Sequence, residues 1–260
     1  MPSWNPGQYL KFADERTQPC RDLVARIALA QPRRIVDLGC GPGNSTAVLA
    51  ERWPDARLTG VDHSTDMIRA AREKYPKIAW QEADLATWSA VEPADLVFSN
   101  AALQWVGDHA RLIPHLFEQV APGGALAWQV PCNMDAPAHQ LMRDLTASFE
   151  WRGHFAQTVR EWHVHEPAFY YDLLAPHAAR LELWRTEYLH IMESPAAIVE
   201  WYKGTGLRPF LERLTSPADQ ERFLGDYLHE IERAYPRQPD GRVLFPFHRQ
   251  FVIAYKSPSS

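Results

Sequence analysis

Short apolar runs alternate with amphipathic segments through the first half of the chain. Five of these runs have the composition and length of buried β-strands, at residues 34–39, 58–62, 78–83, 95–100 and 125–130. Three helical patterns separate them, at residues 44–53, 64–75 and 109–120. The first is expected to be capped by Asn44 or Ser45, and the second by Ser64. Strands separated by helices of this length indicate right-handed crossovers and a parallel sheet.

The pattern changes after Pro131. Helical periodicity continues at residues 136–151 and through most of 194–232, alternation predicts a strand at 181–190, and residues 241–255 read as a hairpin-like or edge strand. The stretch 152–176 is rich in aromatic residues and His but has only weak periodicity. We therefore predict one α/β domain over residues 1–260, with a Rossmann-like, doubly wound, mostly parallel seven-stranded sheet. A ligand-binding core at 33–131 would carry helical cap insertions at 132–180 and 191–240, over the carboxyl ends of the strands.

The turn after the first strand is rich in glycine. Gly39, Gly41 and Gly43 permit a tight turn and allow a ligand to approach the backbone. A dinucleotide-binding loop would have a third glycine where this chain has Asn44, so a pyrophosphate ligand is disfavoured. Asp37, two residues before the first glycine, favours a ligand with a cationic amino group. A ligand that carries such a group and a sulfonium fits this turn.

Acidic residues close the next two strands. Asp62 can accept both hydroxyls of a ribose, and His63 beside it can line the adenosine. Asp84 can accept a hydrogen bond from the adenine amino group, with Leu85 and Met67 packed on the adenine ring. Each feature alone also fits an ordinary turn or helix cap. Three of them in register with the glycine turn predict a site for S-adenosylmethionine (SAM).

Two further residues lie within or beside this predicted site. Asn100 closes the fourth strand and is followed by small residues and then by Trp105, under the expected reacting centre. Cys40 lies inside the glycine turn, where its small size accounts for its presence. No partner base is evident for it, so nucleophilic catalysis by Cys40 is not expected.

Composition and charge narrow the possible classes of function. The net charge is −5 with no basic run, which disfavours nucleic acid as the main partner. Three cysteines without a C-x-x-C motif (Cys20, Cys40 and Cys132) predict a reducing, cytoplasmic environment with no disulfide framework and no zinc site. Residues 1–7 lack the pattern of a signal peptide, and no apolar stretch approaches the length of a membrane span.

Residues 33–131 resemble the class I SAM-dependent methyltransferases. A narrower resemblance, to carboxyl methyltransferases of that superfamily, extends over nearly the whole chain. It is carried by residues 4–6, 9–10, 37–46, 103–105, 114–116, 170–172, 184–186, 188, 190 and 205–209. This resemblance implies methyl transfer to a carboxylate of trans-aconitate, which gives a monomethyl ester and S-adenosylhomocysteine, with related tricarboxylates as poorer acceptors.

That chemistry requires no catalytic base, because a carboxylate is already ionised at pH 7. The enzyme would orient the reactants and exclude water, and arginines would hold the remaining carboxylates. The candidate residues for the acceptor site are Arg185, Arg208 and Arg249, with Tyr9, Gln104, Trp105, Tyr171 and His190. Each arginine fits a surface ion pair as well, and His190 fits a structural role. His163 and His165 form a pair without further metal ligands, so we expect no metal.

Three alternatives remain open from the sequence. The first is a SAM methyltransferase for another small acid or for an oxygen or nitrogen acceptor. The second is a nicotinamide-dependent dehydrogenase, which the missing third glycine disfavours. The third is a non-catalytic SAM-binding module. The sequence does not indicate an oligomeric state.

Overall fold

The computed structural model describes residues 13–155 and 162–259. Its strands are β1 Arg34–Leu38, β2 Arg57–Asp62, β3 Ala79–Glu82, β4 Ala94–Asn100, β5 Val120–Pro131, β6 Arg180–Met192 and β7 Val243–Tyr255. Its α-helices are α1 Ala13–Arg26, α2 Asn44–Arg52, α3 Thr65–Lys74, α4 His109–Glu118, α5 Pro137–Ala147, α6 Pro167–Leu174, α7 Pro195–Lys203, α8 Arg208–Leu211 and α9 Pro217–Ala234. A 3₁₀ turn, Leu103–Trp105, follows β4.

The strands form one sheet in the order β3-β2-β1-β4-β5-β7-β6. The first five pair in parallel, and β7 lies antiparallel between β5 and β6. The α/β, mostly parallel seven-stranded fold predicted from the sequence is thus confirmed. The prediction of a hairpin-like or edge strand at the carboxyl end of the chain was wrong. β7 is an interior strand, because its last residues are apolar and buried on both faces of the sheet. The edge strand is β6.

Apolar layers cover both faces of the sheet. On one face, α1 and α2 pack over a cluster that includes Leu49, Phe98 and Ile253. On the other face, α4 and α6 pack over a cluster that includes Trp128 and Val252. The direction of strand order changes between β1 and β4. From β1 the chain crosses over to β2 and β3 on one side, and it later returns to β4 on the other side of β1. Open α/β sheets bind ligands outside the carboxyl ends of the strands at such a point.

The β6–β7 pair extends past the end of β5. Pro131, the last residue of β5, lies opposite Arg249, and residues 243–248 of β7 pair with residues 187–192 of β6. A third apolar cluster joins this extension to α5, α7 and α9, with aromatic residues at its centre. The structure therefore places a helical cap beyond the carboxyl ends of the parallel strands.

Local details differ from the predicted pattern. The N-cap of α2 is Gly43 at φ 90°, not Asn44 or Ser45, because the Ser45 hydroxyl bonds to Asp37 instead of to the helix backbone. The predicted cap of α3 is confirmed, since the Ser64 hydroxyl accepts from the Met67 amide. Helix α6 forms within the weakly periodic stretch. Within the described ranges, no helix is long and apolar enough to cross a membrane.

Candidate active site

The glycine turn joins β1 to α2 along the end of β2. The amides of Gly39 and Cys40 both donate to the carbonyl of Val61, at 2.7 and 3.0 Å. A Cβ on Gly39 would lie 2.1 Å from the Cβ of Ala102, so the turn packs directly against the segment after β4. At Gly41, by contrast, an added Cβ would meet nothing within 4 Å. The turn is therefore tight against the protein on one side and open on the other.

Asp37 is buried beneath this turn. Its Oδ2 accepts hydrogen bonds from the hydroxyls of Ser45 and Thr46, each at 2.6 Å. Its Oδ1 is buried and has no hydrogen-bond partner among the described residues. Burial raises the pKa of Asp37 to about 6, against the pull of the two hydroxyls. An ionised carboxylate here lacks full compensation, so the site favours a ligand that brings a positive charge.

Asp62 ties the end of β2 to the glycine turn. Its Oδ2 accepts from the Gly41 amide and its Oδ1 from the Ser64 amide, both at 2.9 Å. Each oxygen keeps a lone pair, so the carboxylate can still accept hydroxyl groups. His63 is exposed, with its Nδ1 3.5 Å from Oδ1 of Asp62. The predicted pair thus lies beside the open face of the turn.

The other predicted cofactor residues surround this edge of the sheet. Asp84 is exposed after β3, where its Oδ1 accepts from the amide of Ala86 at 2.9 Å. Leu85 is buried and lies near Gly39, since a Cβ added there would be 3.5 Å from the Leu85 side chain. Met67 is buried in the first turn of α3. Asn44 is the first residue of α2, and its Oδ1 accepts from Lys74 at 3.3 Å.

A buried polar chain crosses the ends of β4, β5 and β7. The amide nitrogen of Gln129 donates to Oδ1 of Asn100 at 2.6 Å, and its oxygen accepts from Arg249 at 3.4 Å. Arg249 is 5% exposed and lies over the ring of Phe247, 4.7 Å from its centroid. The sequence-predicted residues Asn100 and Arg249 are therefore connected through a residue that the sequence reasoning missed. Gln129 interrupts an otherwise apolar buried strand, and that interruption was the available signal.

Gln104 follows β4 in the 3₁₀ turn. Its amide nitrogen donates to the carbonyl of Ala101 at 2.7 Å, which fixes the orientation of the amide group. Its Oε1 is buried and accepts no hydrogen bond from the described residues. Trp105 beside it meets Trp162 edge to face, with ring centroids 5.7 Å apart. The turn thus presents an acceptor oxygen next to an aromatic wall.

His190 shares a sheet face with Arg249. In the β6–β7 register, His190 lies opposite Phe245 and Thr186 opposite Arg249, which places alternate residues of both strands on this face. Its ring is 5.0 Å from that of Trp201. Burial and the charge of Arg249 lower the pKa of His190 to about 4, so its imidazole is neutral at pH 7.

The remaining acceptor candidates are not brought together with Arg249 in the same way. Arg185 lies on the opposite face of β6, where it donates to Gln250 and pairs with Glu166 at 2.8 Å. Arg208 pairs with Glu212 at 2.7 Å along α8, and Tyr171 is 53% exposed on α6. Tyr9 lies outside the described residues.

Two buried cap residues were not predicted from the sequence. Asn133 donates to the hydroxyl of Tyr202 at 3.3 Å, and the ring of His139 lies 5.1 Å from that of Tyr202. The His139 ring also meets Trp162 at 4.7 Å. Neither residue stands in a motif, and only the fold brings them together.

Neither thiol nor metal chemistry is indicated. Cys40 is buried, and desolvation together with Asp37 raises the pKa of its thiol above the usual range, which opposes nucleophilic catalysis. His165 stacks on Phe169, with ring centroids 4.1 Å apart, and the backbone amide of His163 donates to the Gln104 carbonyl. In the part of the chain that the structure describes, no group of three His, Cys, Asp or Glu residues is placed to hold a metal ion.

A cavity of about 550 Å³ opens at the opposite edge of the sheet, away from the glycine turn. It is lined by Arg33, Arg34, Arg57, Glu92 and Asp95 at the amino ends of the strands. Asp95 accepts the amides of Arg33 and Arg34, and Arg34 pairs with Glu92. The side chains of Asp95, Arg34 and Glu92 therefore serve to hold the amino ends of the strands. For this reason we do not take the cavity as the candidate active site.

Comparison with known proteins decides the family. The family model described as "Methyltransferase domain" matches residues 35–124. A trans-aconitate 2-methyltransferase of Azoarcus sp. is 50% identical over 98% of this chain and 100% of its own length. That of Yersinia pseudotuberculosis is 46% identical over 98% and 99% of the two chains. The chain belongs to the trans-aconitate 2-methyltransferase family. This confirms the resemblance on which the sequence analysis relied.

Solved structures agree on the fold. The YcgJ protein of Bacillus subtilis is 13% identical, with a TM-score of 0.60 over 93% of this chain and 100% of its own. A phosphoethanolamine N-methyltransferase of Haemonchus contortus, solved with S-adenosylhomocysteine, is 16% identical, with a TM-score of 0.55 over 93% and 53% of the chains. At these identities, the likeness concerns the fold alone.

Family membership makes this chain a class I methyltransferase that uses SAM. The nicotinamide dehydrogenase and the non-catalytic module, which the sequence left open, are thereby set aside. The identity of the methyl acceptor is a separate question, which depends on the other half of the site.

Proposed function

We propose that the enzyme transfers the methyl group of SAM to a carboxylate of trans-aconitate, giving a monomethyl ester and S-adenosylhomocysteine. One observation carries this proposal: the side chain of Arg249 is buried at the carboxyl end of β5, in hydrogen-bond contact with Gln129. Relatives that share 46–50% of their residues with the whole chain are named for the same reaction. A small-molecule acceptor in a cytoplasmic enzyme is part of the proposal.

The cofactor half of the site has the chemistry that SAM requires. SAM supplies an electrophilic methyl group on a sulfonium, together with a cationic amino group and a ribose. The unpartnered Oδ1 of Asp37 suits the amino group, and the open side of Gly41 leaves room for close approach. Asp62 would accept the ribose hydroxyls. The further cofactor residues proposed here are Gly39, Cys40, Gly43, Asn44, His63, Met67, Asp84, Leu85 and Asn100.

The acceptor half must hold an anion. All three carboxyl groups of a tricarboxylate are largely ionised at pH 7, so the molecule brings about three negative charges. A buried guanidinium pairs with one carboxylate bidentately and compensates part of the cost of removing that charge from water. Arg249 can do this close to Asn100, at the end of β4. We propose the cap, residues 132–180 and 191–240, as the enclosure of the acceptor over a SAM-binding core at 33–131.

Catalysis then depends on the orientation of the two reactants and on the exclusion of water. The attacking carboxylate needs no base, and well-oriented reactants gain up to roughly 7–11 kcal/mol from proximity. The Oε1 of Gln104, held by the Ala101 carbonyl contact, offers a partial negative charge to a cationic methylsulfonium. Water is excluded by the aromatic residues beside it, Trp105 and Trp162. These side chains orient and desolvate the reactants, and none of them exchanges a proton with the acceptor.

A radiolabel assay tests the proposal. Purified protein is incubated with methyl-labelled SAM and, in turn, trans-aconitate, cis-aconitate, isocitrate and citrate. We expect base-labile methyl ester to form fastest from trans-aconitate, together with S-adenosylhomocysteine. If SAM binds but trans-aconitate gives no ester, while another acid or an amine does, the acceptor assignment is wrong.

Arginine variants locate the acceptor site. The changes Arg185→Met, Arg208→Met and Arg249→Met are compared with Arg180→Met, an exposed arginine on β6 that pairs with Glu182. Losing a charged hydrogen-bonding partner costs about 1.5–3 kcal/mol. We expect Arg249→Met to raise KM for trans-aconitate about tenfold to a hundredfold, with SAM affinity retained. An unchanged KM would place the acceptor elsewhere.

A further inference from the structure

Four side chains meet at the entrance to the cap, and together they are called the cap subsite: Asn133, His139, Trp162 and Tyr202. Asn133 and His139 flank the start of α5, where the His139 amide donates to Ala136 and the Ala136 amide to Asn133. Tyr202 on α7 contacts both of them. The Trp162 ring meets the imidazole of His139 edge to face, with ring centroids 4.7 Å apart.

Buried polar atoms remain unsatisfied in this subsite. Asn133 is 2% exposed and His139 is 6% exposed. Neither Oδ1 of Asn133 nor Nε2 of His139 has a hydrogen-bond partner among the described residues. Burying a polar group without a hydrogen-bond partner destabilises the folded chain. Two such groups, both within reach of one tyrosine, indicate that a ligand completes the contacts.

The chemistry of these groups selects the ligand. Burial lowers the pKa of His139 to about 4, so at pH 7 its ring is neutral and carries one N–H, which can be placed on Nε2. The amide of Asn133 can be turned so that the Tyr202 hydroxyl donates to Oδ1, which leaves its NH₂ group to donate to a ligand. Two neutral donors beside each other match the two oxygens of a carboxylate.

The subsite is electrostatically linked to the acceptor arginine. The charge of Arg249 acts on the Tyr202 hydroxyl and opposes the rise in its pKa that burial causes. Burial raises the pKa of the Cys132 thiol, next to Asn133 in the chain, to about 11, and the charges of Arg185 and Arg249 oppose that rise. The charge of Arg249 therefore acts on the same tyrosine that contacts both Asn133 and His139.

We propose that Asn133 and His139 form an anion subsite that holds a carboxylate of the acceptor which does not react, while Arg249 holds another. The inference rests on the proposed function, since it assigns specificity within the same acceptor site. It explains how three carboxylates are bound without three buried cations. Recognition by neutral donors requires the carboxylate to be present, so an acceptor that lacks it gains nothing from them.

The test compares His139→Leu and His139→Gln across acceptors that differ by one carboxylate. Trans-aconitate is compared with itaconate, glutaconate and mesaconate, each of which lacks a different one of its three carboxyl groups. The matched control is His229→Leu, an exposed histidine on the cap helix α9. Initial rates give kcat and KM. Calorimetry gives the affinity for SAM and, in the S-adenosylhomocysteine complex, for trans-aconitate.

We expect His139→Leu to lower kcat/KM for trans-aconitate about tenfold to a hundredfold, mainly through KM, with SAM affinity unchanged and a thermal midpoint no lower than that of wild type. His139→Gln should recover most of this loss, because glutamine keeps an N–H donor. For the one dicarboxylate that lacks the carboxylate held at the subsite, His139→Leu should have no effect beyond that of His229→Leu. Asn133→Leu should show the same selectivity.

Two results would overturn the subsite. Equal losses for all acceptors would show that His139 supports only the packing of the cap. No loss for any acceptor, with active enzyme, would show that His139 lies outside the acceptor site. Failure of the proposed function has a different signature: wild-type enzyme binds SAM but neither binds nor methylates trans-aconitate.

Discussion

Asp37 should make the free enzyme less stable and the SAM complex tighter. Because its carboxylate is buried and one oxygen has no partner among the described residues, ionisation is costly until a cation binds. The change Asp37→Asn keeps an oxygen that accepts from Ser45 and Thr46 but removes the charge. We therefore expect this variant to unfold at a higher denaturant concentration than wild type at pH 8, and to bind SAM more weakly.

The magnitude follows from the pKa. The Asp37 carboxyl has a pKa of about 6 in the folded chain and an ordinary value of 3.8. A rise of about two pH units corresponds to roughly 3 kcal/mol. For an acid with a raised folded-state pKa, the folded protein binds more protons, so stability falls as pH rises from about 4 to 6. The advantage of Asp37→Asn should therefore be absent near pH 4 and reach up to about 3 kcal/mol above pH 6.

Binding should show the opposite sign. Loss of a charge-assisted contact weakens SAM affinity about tenfold to a hundredfold at pH 8. Below pH 6 the wild-type carboxylate is protonated, so its affinity should approach that of the variant. Urea unfolding and calorimetry at several pH values measure both effects, with the exposed Asp55→Asn as control. A variant that is less stable at pH 8, or that binds SAM as tightly as wild type, would refute this role.

Three further predictions concern the turn and the cap. Gly39→Ala should destabilise the fold by roughly 3 kcal/mol, because its Cβ would clash with Ala102 at positive φ, and thermal unfolding checks this. Gly41→Ala should cost only about 1 kcal/mol in stability, since its Cβ meets nothing, yet should weaken SAM binding in calorimetry. A normal SAM affinity would mean that the open side faces solvent. His190→Phe should make the free energy of unfolding less sensitive to acid. Because the pKa of His190 is about 4 in the folded chain, its imidazole contributes fully to wild-type stability above pH 6.5, and this contribution falls by up to about 3 kcal/mol towards pH 4. Urea unfolding at several pH values measures the difference. Identical pH profiles would contradict this last prediction.

The cofactor half was predictable from the sequence because it is local. Asp37 and Asp62 lie on neighbouring parallel strands, the glycines directly follow the first of these, and the carboxyl ends of such strands must meet at one edge of the sheet. Spacing alone therefore places these residues together. The exception is the start of α2, where Asp37 takes the Ser45 hydroxyl that the helix would otherwise use. At this position the tertiary hydrogen bond to Asp37 outweighs the preference of a serine hydroxyl for capping the helix.

The acceptor half was only partly predictable, because long-range pairing builds it. Arg249 meets Gln129 across 120 positions of sequence, through the antiparallel placement of β7 beside β5. The apolar run at the end of β7 fits an interior strand, but nothing local in the sequence fixes which strands lie beside it. The same register separates Arg185 from Arg249, since neighbouring positions on a strand face opposite sides of the sheet. As arginines, both residues were candidates for the acceptor site, and only the β6–β7 register shows that they lie on opposite faces of the sheet.

This division implies that the two halves of the site can vary independently. The glycine turn is fixed by contacts within β1, β2 and β4, such as those of Gly39 with Val61 and Ala102. Tyr202, whose ring contacts that of His139, belongs instead to an apolar cluster built on the β6–β7 extension, and among the described residues this cluster shares no buried member with the cluster under α2. If the proposed site is correct, a substitution in the cap should change the acceptor surface without moving Asp37 or Asp62. On that proposal, acceptor specificity depends on long-range strand pairing, while SAM binding depends on one turn and two strand ends.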